Sequence, residues 1–125
     1  GFYKLGGDEE PLNTDVLKGK VVTLISGIAN PDSFENLITS LGIEIGLAFR
    51  FPDHYSYSQK DLERIVQASK KENIDTLVTT QKDSVRFYQL PITNYQLPIF
   101  VLRIELKITK NEEGFHNRLH KLYSL

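Results

Sequence analysis

The stretch VVTLISGIANPDSFENLITSLG, residues 21–42, decides the fold class of this chain. Its opening run, Val21–Ser26, is mostly apolar and rich in β-branched side chains, which is typical of a buried strand. Asn30 is a favoured N-cap residue, and Pro31 suits the first helical position because it has no N–H group to leave unpaired. The stretch therefore predicts a buried strand that leads through a short turn into a helix.

The predicted helix carries a single apolar stripe and ends at a glycine. The members of the stripe, spaced i, i+3, i+4 and i+7, are Phe34, Leu37, Ile38 and Leu41. Such a stripe packs one face of a helix against the core, and Gly42 supplies the left-handed residue that follows many helices.

Strand and helix patterns alternate along the rest of the chain. Strands are predicted at 43–51, 76–80 and 99–108, and helices at 58–73, 80–88 and 112–123. Two of these helices open with capping spacings, Ser58 with Asp61 and Thr80 with Asp83. The alternation predicts an α/β fold, a Rossmann-like three-layer α/β/α domain with a mostly parallel sheet of about four to five strands.

The first twenty residues differ in character from the rest. They hold three glycines before Lys18 and an acidic cluster, Asp8–Glu10, followed by Pro11. We interpret residues 1–20 as a linker remnant and 21–125 as the domain. Because the chain contains no methionine and opens with Gly1, we expect it to be a piece excised from a longer protein.

Composition excludes several function classes. The 125 residues suit one domain, and a net charge of −1 gives no bulk field that would attract nucleic acid. The absence of cysteine excludes disulfides and thiolate chemistry. His116 and His120 stand at i, i+4, but Asn117 follows where a zinc protease needs glutamate, so we predict a solvated helix face and no metal site.

Three polar segments follow predicted strands: Gly27–Pro31, Phe51–Tyr57 and Thr79–Asp83. In open parallel sheets, ligands approach the carboxyl ends of the strands, where such loops lie. Any fold of this class also needs capped loops at these places, so position alone leaves a structural role open.

The three segments together resemble the C-terminal region of tetraacyldisaccharide 4′-kinases. The matching motifs are S-G-I-A-N-P at 26–31, F-P-D-H-Y at 51–55 and L-V-T-T-Q-K-D at 77–83, in order and with the family's spacing. The resemblance covers roughly residues 21–106. It departs at the third motif, where the family usually carries glutamate and this chain has Gln81.

The resemblance implies a P-loop kinase of lipid A biosynthesis in Gram-negative bacteria. Such an enzyme transfers the γ-phosphate of ATP to the 4′-hydroxyl of tetraacyldisaccharide 1-phosphate. It implies that an N-terminal P-loop domain of the same protein binds most of ATP and Mg²⁺, and that this C-terminal domain closes over the nucleotide. It also implies a cytoplasmic protein, at the cytoplasmic face of the inner membrane.

The chain itself contains no phosphate-binding loop. A P-loop requires G-x-x-x-x-G-K-[ST], whose glycine amides cradle the phosphates. The Gly19–Lys20 pair is followed by Val21, and Thr14 stands where the first glycine belongs. We therefore expect the isolated chain to be inactive.

His54 and Asp53 are the candidate catalytic residues. The resemblance places a histidine here that reaches across the cleft to support the catalytic aspartate of the other domain, and imidazole can orient or relay a proton near neutral pH. The alternative is a solvated loop histidine beside Pro52. Asp53 either orients His54 or caps the turn.

Five further residues are candidates for binding nucleotide or substrate: Gly27, Asn30, Thr80, Lys82 and Asp83. Lys82 can neutralise phosphate charge, whereas Asp83 either caps the short helix or binds nucleotide. Two other functions stay open from the residues alone. They are a non-catalytic Rossmann-like interaction module and a stand-alone nucleotide- or sugar-binding domain.

Overall fold

A computed structural model describes residues 1–6, 10–88, 90 and 97–103. The strands are β1 (Phe2–Lys4), β2 (Val21–Ser26), β3 (Glu44–Arg50), β4 (Leu77–Thr80) and β5 (Ile99–Leu102). The α-helices are α1 (Pro31–Ser40), α2 (Gln59–Lys71) and α3 (Gln81–Tyr88), and a 3-10 helix spans Thr14–Leu17. Residues 104–108 of the predicted last strand, and the predicted helix at 112–123, lie outside the described residues.

The five strands form one sheet in the order β1-β5-β4-β2-β3. β2 pairs in parallel with both β3 and β4, and β4 pairs in parallel with β5. The predicted mostly parallel α/β fold is thus confirmed. Because these four strands run in one direction, their carboxyl ends lie at one edge of the sheet.

The interpretation of residues 1–20 as a linker is wrong for the parts that the structure describes. Phe2–Lys4 forms β1, which pairs antiparallel with β5 at the end of the sheet. Phe2, Leu5 and Leu17 are buried in the core. A strand of three residues is too short to show a period-2 pattern, and the neighbouring glycines and acidic residues hide its apolar side chains.

Helices cover both faces of the sheet. Alternate strand residues point to opposite sides, and the apolar side chains on each side pack against a helix. Leu24 and Val78 share a buried cluster with Phe34 and Ile38 of α1. The cluster on the other face joins α2 and α3 to the sheet, and its members include Ile25, Leu77, Leu62, Ile65, Val66 and Phe87. The three-layer arrangement follows from these two clusters.

The predicted helix caps are confirmed. The Asn30 side chain accepts a hydrogen bond from the Ser33 N–H at 3.1 Å. Ser58 and Asp61 form a reciprocal capping box at the start of α2. Gly42, with φ of 80°, follows α1 in the left-handed conformation that glycine adopts without strain.

Candidate functional site

Three loops meet at the carboxyl edge of the sheet, around the side chain of Asp83 in the first turn of α3. The Gly27 N–H, which follows β2, donates to Oδ1 and Oδ2 of Asp83, each at 3.1 Å. The Tyr57 hydroxyl, from the loop after β3, donates to Oδ1 at 3.0 Å. Residues of all three polar segments therefore meet at one edge of the sheet.

Asp83 is fully buried, and its oxygens are occupied by protein donors. In addition to the loop contacts, the Thr80 hydroxyl donates to Oδ2 at 2.7 Å and Arg86 Nη1 donates to Oδ1 at 2.9 Å. The Asp83 N–H in turn donates to Thr80 Oγ1 at 3.1 Å. Of the two roles that the sequence leaves open for Asp83, the geometry favours capping α3 and holding the loops over direct contact with a nucleotide.

Gly27 lies where backbone and side chains approach so closely that a Cβ atom would have to displace its neighbours by a few tenths of an ångström. A Cβ atom at this position would lie 3.1 Å from the Pro52 carbonyl oxygen and 3.2 Å from both Asp83 Oδ1 and the Tyr57 hydroxyl. The Gly27 carbonyl accepts hydrogen bonds from the His54 N–H and from Arg86 Nη1, both at 3.2 Å. Gly27 therefore shapes the junction of the loops.

His54 places its imidazole at the surface of this junction. The side chain is 81% exposed, and its backbone has φ of 61°, in the left-handed region. Nδ1 lies 3.1 Å from Arg86 Nη2. Because arginine has no acceptor, Nδ1 must be the unprotonated nitrogen of this contact, and the ring proton belongs on Nε2. The imidazole therefore presents an N–H donor at Nε2.

Asp53 lies beside His54 but does not hydrogen-bond to it. Its Oδ2 is 3.6 Å from His54 Nε2, which is beyond hydrogen-bond distance. Orienting His54 was one of the two roles left open for Asp53, and in the structure Arg86, which the sequence reasoning missed, makes the contact to the ring. The signal available was the i, i+3 spacing of Asp83 and Arg86, which puts both side chains on one face of α3.

Tyr57 anchors the loop that carries His54. Its ring stacks on Phe87 with centroids 4.4 Å apart and meets Phe51 edge-on at 5.1 Å. Burial raises the pKa of Tyr57 well above its usual range, and the negative charge of Asp83 raises it further. The hydroxyl thus stays protonated and remains a donor to Asp83.

The remaining candidate binding residues differ in how accessible their side chains are to a ligand. Asn30 acts as the N-cap of α1, and Thr80 is buried beside Asp83. Lys82 is exposed in the first turn of α3, at the same edge of the sheet. Lys82 is thus the candidate binding residue best placed to meet an anion from solution.

Within residues 1–6, 10–88, 90 and 97–103, no group of three or more His, Cys, Asp or Glu side chains is arranged to hold a metal ion. His116 and His120 lie outside these described ranges. No helix in this described part is both long and apolar enough to cross a membrane.

Comparison with known sequences gives consistent matches along the chain. A sequence model of the tetraacyldisaccharide-1-P 4′-kinase family matches residues 5–124. The tetraacyldisaccharide 4′-kinase of Bdellovibrio bacteriovorus is 36% identical over 111 residues, which are 89% of this chain and 31% of that protein. The enzyme of Rickettsia canadensis is 42% identical over 80 residues, 64% of this chain and 24% of that protein. This chain thus spans less than a third of these relatives.

The fold also matches a solved structure. The crystal structure of LpxK from Aquifex aeolicus in complex with ATP has a TM-score of 0.57 to this chain, with 24% sequence identity. The match covers 98% of this chain and 35% of that chain, and it supports the α/β fold. Because the family match extends over residues 5–124, this chain belongs to the tetraacyldisaccharide-1-P 4′-kinase family.

Proposed function

We propose that this chain is the C-terminal, nucleotide-closing part of a tetraacyldisaccharide 4′-kinase and that it supplies His54 to the active site. The whole enzyme transfers the γ-phosphate of ATP to the 4′-hydroxyl of tetraacyldisaccharide 1-phosphate in lipid A biosynthesis. The observation that supports this role is the exposed imidazole of His54, held at the edge of the sheet where three loops meet.

In this proposal His54 acts on the catalytic carboxylate of the other domain. An Nε2–H donor suits a carboxylate acceptor, since hydrogen bonds to a charged acceptor are the stronger kind. The bond orients the carboxylate toward the 4′-hydroxyl, whose proton the carboxylate accepts. The hydroxyl oxygen then forms a bond to the γ-phosphorus, the bond from phosphorus to the bridging oxygen breaks, and ADP leaves.

The sequence of this chain supports a division of labour between two parts of the protein. Its 125 residues hold no G-x-x-x-x-G-K-[ST] loop, and its described residues include no group of three or more His, Cys, Asp or Glu side chains placed to hold a metal ion. We assign most of the binding of ATP and Mg²⁺ to an N-terminal P-loop domain of the same protein, at the cytoplasmic face of the inner membrane. Lys82 adds positive charge near the phosphates when the domains close.

The proposal is tested by phosphate transfer from γ-labelled ATP to tetraacyldisaccharide 1-phosphate in the presence of Mg²⁺. We expect the intact kinase to yield labelled lipid and the 125-residue chain to give no turnover above a blank without protein. Labelled lipid formed by the chain alone, in a preparation free of host kinase, would contradict the division of labour. Failure of the intact protein to label the lipid would contradict the assigned reaction.

A further inference from the structure

Arg86 of α3 joins all three loops through one guanidinium group. Nη1 donates to Asp83 Oδ1 at 2.9 Å and to the Gly27 carbonyl at 3.2 Å. Nη2 lies 3.1 Å from His54 Nδ1. Arg86 is not among the candidate residues identified from the sequence, and the proposed reaction gives it no role. Its guanidinium nevertheless contacts the side chain of His54 directly.

The guanidinium is held rigidly enough to orient a neighbour. Its side chain is 17% exposed and is paired with Asp83, which has no exposed surface. Asp83 is itself fixed by donors from Gly27, Tyr57 and Thr80. Because the five N–H groups of a guanidinium lie in one plane, anchoring Nη1 also sets the direction of Nη2.

This direction decides which nitrogen of His54 carries the proton. A neutral imidazole has one donor and one acceptor nitrogen, and arginine can only donate. The Arg86 contact therefore selects the form with the proton on Nε2. Without Arg86, the 81% exposed ring would be free to rotate about its side-chain bonds and to populate both tautomers.

We propose that Arg86 is a positioning residue that fixes the tautomer and the orientation of His54. It holds the Nε2–H toward the catalytic carboxylate of the other domain. The inference rests on the proposed function of His54 and adds the residue through which the fold prepares that histidine.

The first test reads the tautomer in the intact kinase labelled with ¹⁵N in its histidine rings. Subtracting the NMR spectrum of the His54→Ala protein identifies the His54 signals. We expect an unprotonated Nδ1 and a protonated Nε2 in the wild type, and shifts toward a mixture of tautomers in Arg86→Gln. The wild-type spectrum needs no substitution at Arg86, so it remains informative if that variant folds poorly. A protonated Nδ1 in the wild type would overturn the proposal.

The second test is a double-mutant cycle on kcat in the intact kinase. Arg86→Gln should lower kcat about tenfold or more with little change in the KM for ATP, because a misplaced catalytic group slows the chemical step. In the His54→Ala background, the same substitution should cause no further loss, since Arg86 acts through His54. Arg64→Gln, at an exposed position on α2, is the matched control and should leave kcat unchanged.

The results of these tests distinguish a failure of the Arg86 proposal from a failure of the function proposed for His54. An equal loss of kcat from Arg86→Gln with and without His54, in proteins with unchanged thermal melts, would overturn the positioning role. A large rise in the KM for ATP would overturn it too, because it would indicate direct contact with the nucleotide. If His54→Ala alone leaves kcat unchanged, the proposed function fails, whereas the tautomer result still reports on the Arg86 contact.

Discussion

His54 has an uncommon backbone conformation for a residue with a side chain. Its φ of 61° lies in the left-handed region, which non-glycine residues rarely adopt and which costs roughly 1–3 kcal/mol. The conformation is held by the hydrogen bond from the His54 N–H to the Gly27 carbonyl. This strained backbone is consistent with the role that we propose for the imidazole.

Substitution at His54 should separate stability from activity. Glycine tolerates the left-handed region and alanine does not, so we expect His54→Gly to unfold at higher urea concentration than His54→Ala. The difference in unfolding free energy between the two variants should be about 1 kcal/mol. This figure already includes the opposing effect of glycine's greater freedom in the unfolded state. Both variants should lose kinase activity in the intact protein. If His54→Ala proves the more stable, the backbone strain assigned to this loop is wrong.

At the scale of elements, helix α2 depends on its capping box and on the charge of Asp61. Asp61 Oδ2 accepts hydrogen bonds from the Ser58 N–H at 2.9 Å and from the Tyr55 hydroxyl at 2.8 Å. Burial by itself would raise the pKa of Asp61, but these hydrogen bonds outweigh burial and hold the pKa below its ordinary value of 3.8. The charged carboxylate therefore stabilises the folded chain.

The lowered pKa predicts an acid-dependent loss of stability. The contribution of Asp61 is present above its ordinary value of 3.8 and is lost as the pH falls through the lower value of the folded state. Asp61→Asn keeps the shape of the cap without the charge. Urea melts of both proteins between neutral and acid pH should show a stability gap that closes in the acid range. A gap that stays constant across that range would contradict the role of the charge.

Sequence patterns were sufficient to predict the ends of the helices but not the first strand. Asn30, Ser58 and Gly42 predicted the ends of helices because caps are read from local spacing. β1 was missed because three residues, paired antiparallel at the end of the sheet, carry no periodic signal. The interpretation of residues 1–20 as a linker failed for the same reason.

The position of the candidate site could be predicted from the sequence, but the contacts between its side chains could not. Parallel strands place their following loops at one edge, so the convergence of the loops was predictable. Burial of Asp83 was not, because T-x-x-D has the same spacing whether its carboxylate faces solvent or the core. The contact between Arg86 and His54 joins residues 32 positions apart, and it becomes visible only once the chain is folded.

At the scale of the whole molecule, the candidate functional residues of the described part of the chain share one edge of the sheet. The carboxyl ends of the parallel strands, the buried carboxylate of Asp83 and the exposed ring of His54 all lie there. The chain spans 31% of its Bdellovibrio relative. We propose that His54 acts across a cleft, on chemistry whose phosphate-binding parts belong to the rest of the protein.

The most direct test of this claim is the kcat of the intact kinase carrying His54→Ala. We predict that kcat falls by about 10²-fold or more, the usual scale for an acid–base participant. The KM for ATP should change less, because nucleotide binding depends mainly on the phosphate loop. Folding should be preserved, since a side chain that is 81% exposed contributes little packing.

The control for this measurement is Gln67→Ala, at an exposed position in the second half of α2, which should keep the wild-type kcat. A His54→Ala protein that melts like the wild type and has a kcat at least a hundredfold lower supports the account. A folded His54→Ala protein with near-normal kcat would contradict it, and His54 would then be a solvated histidine in a capped loop.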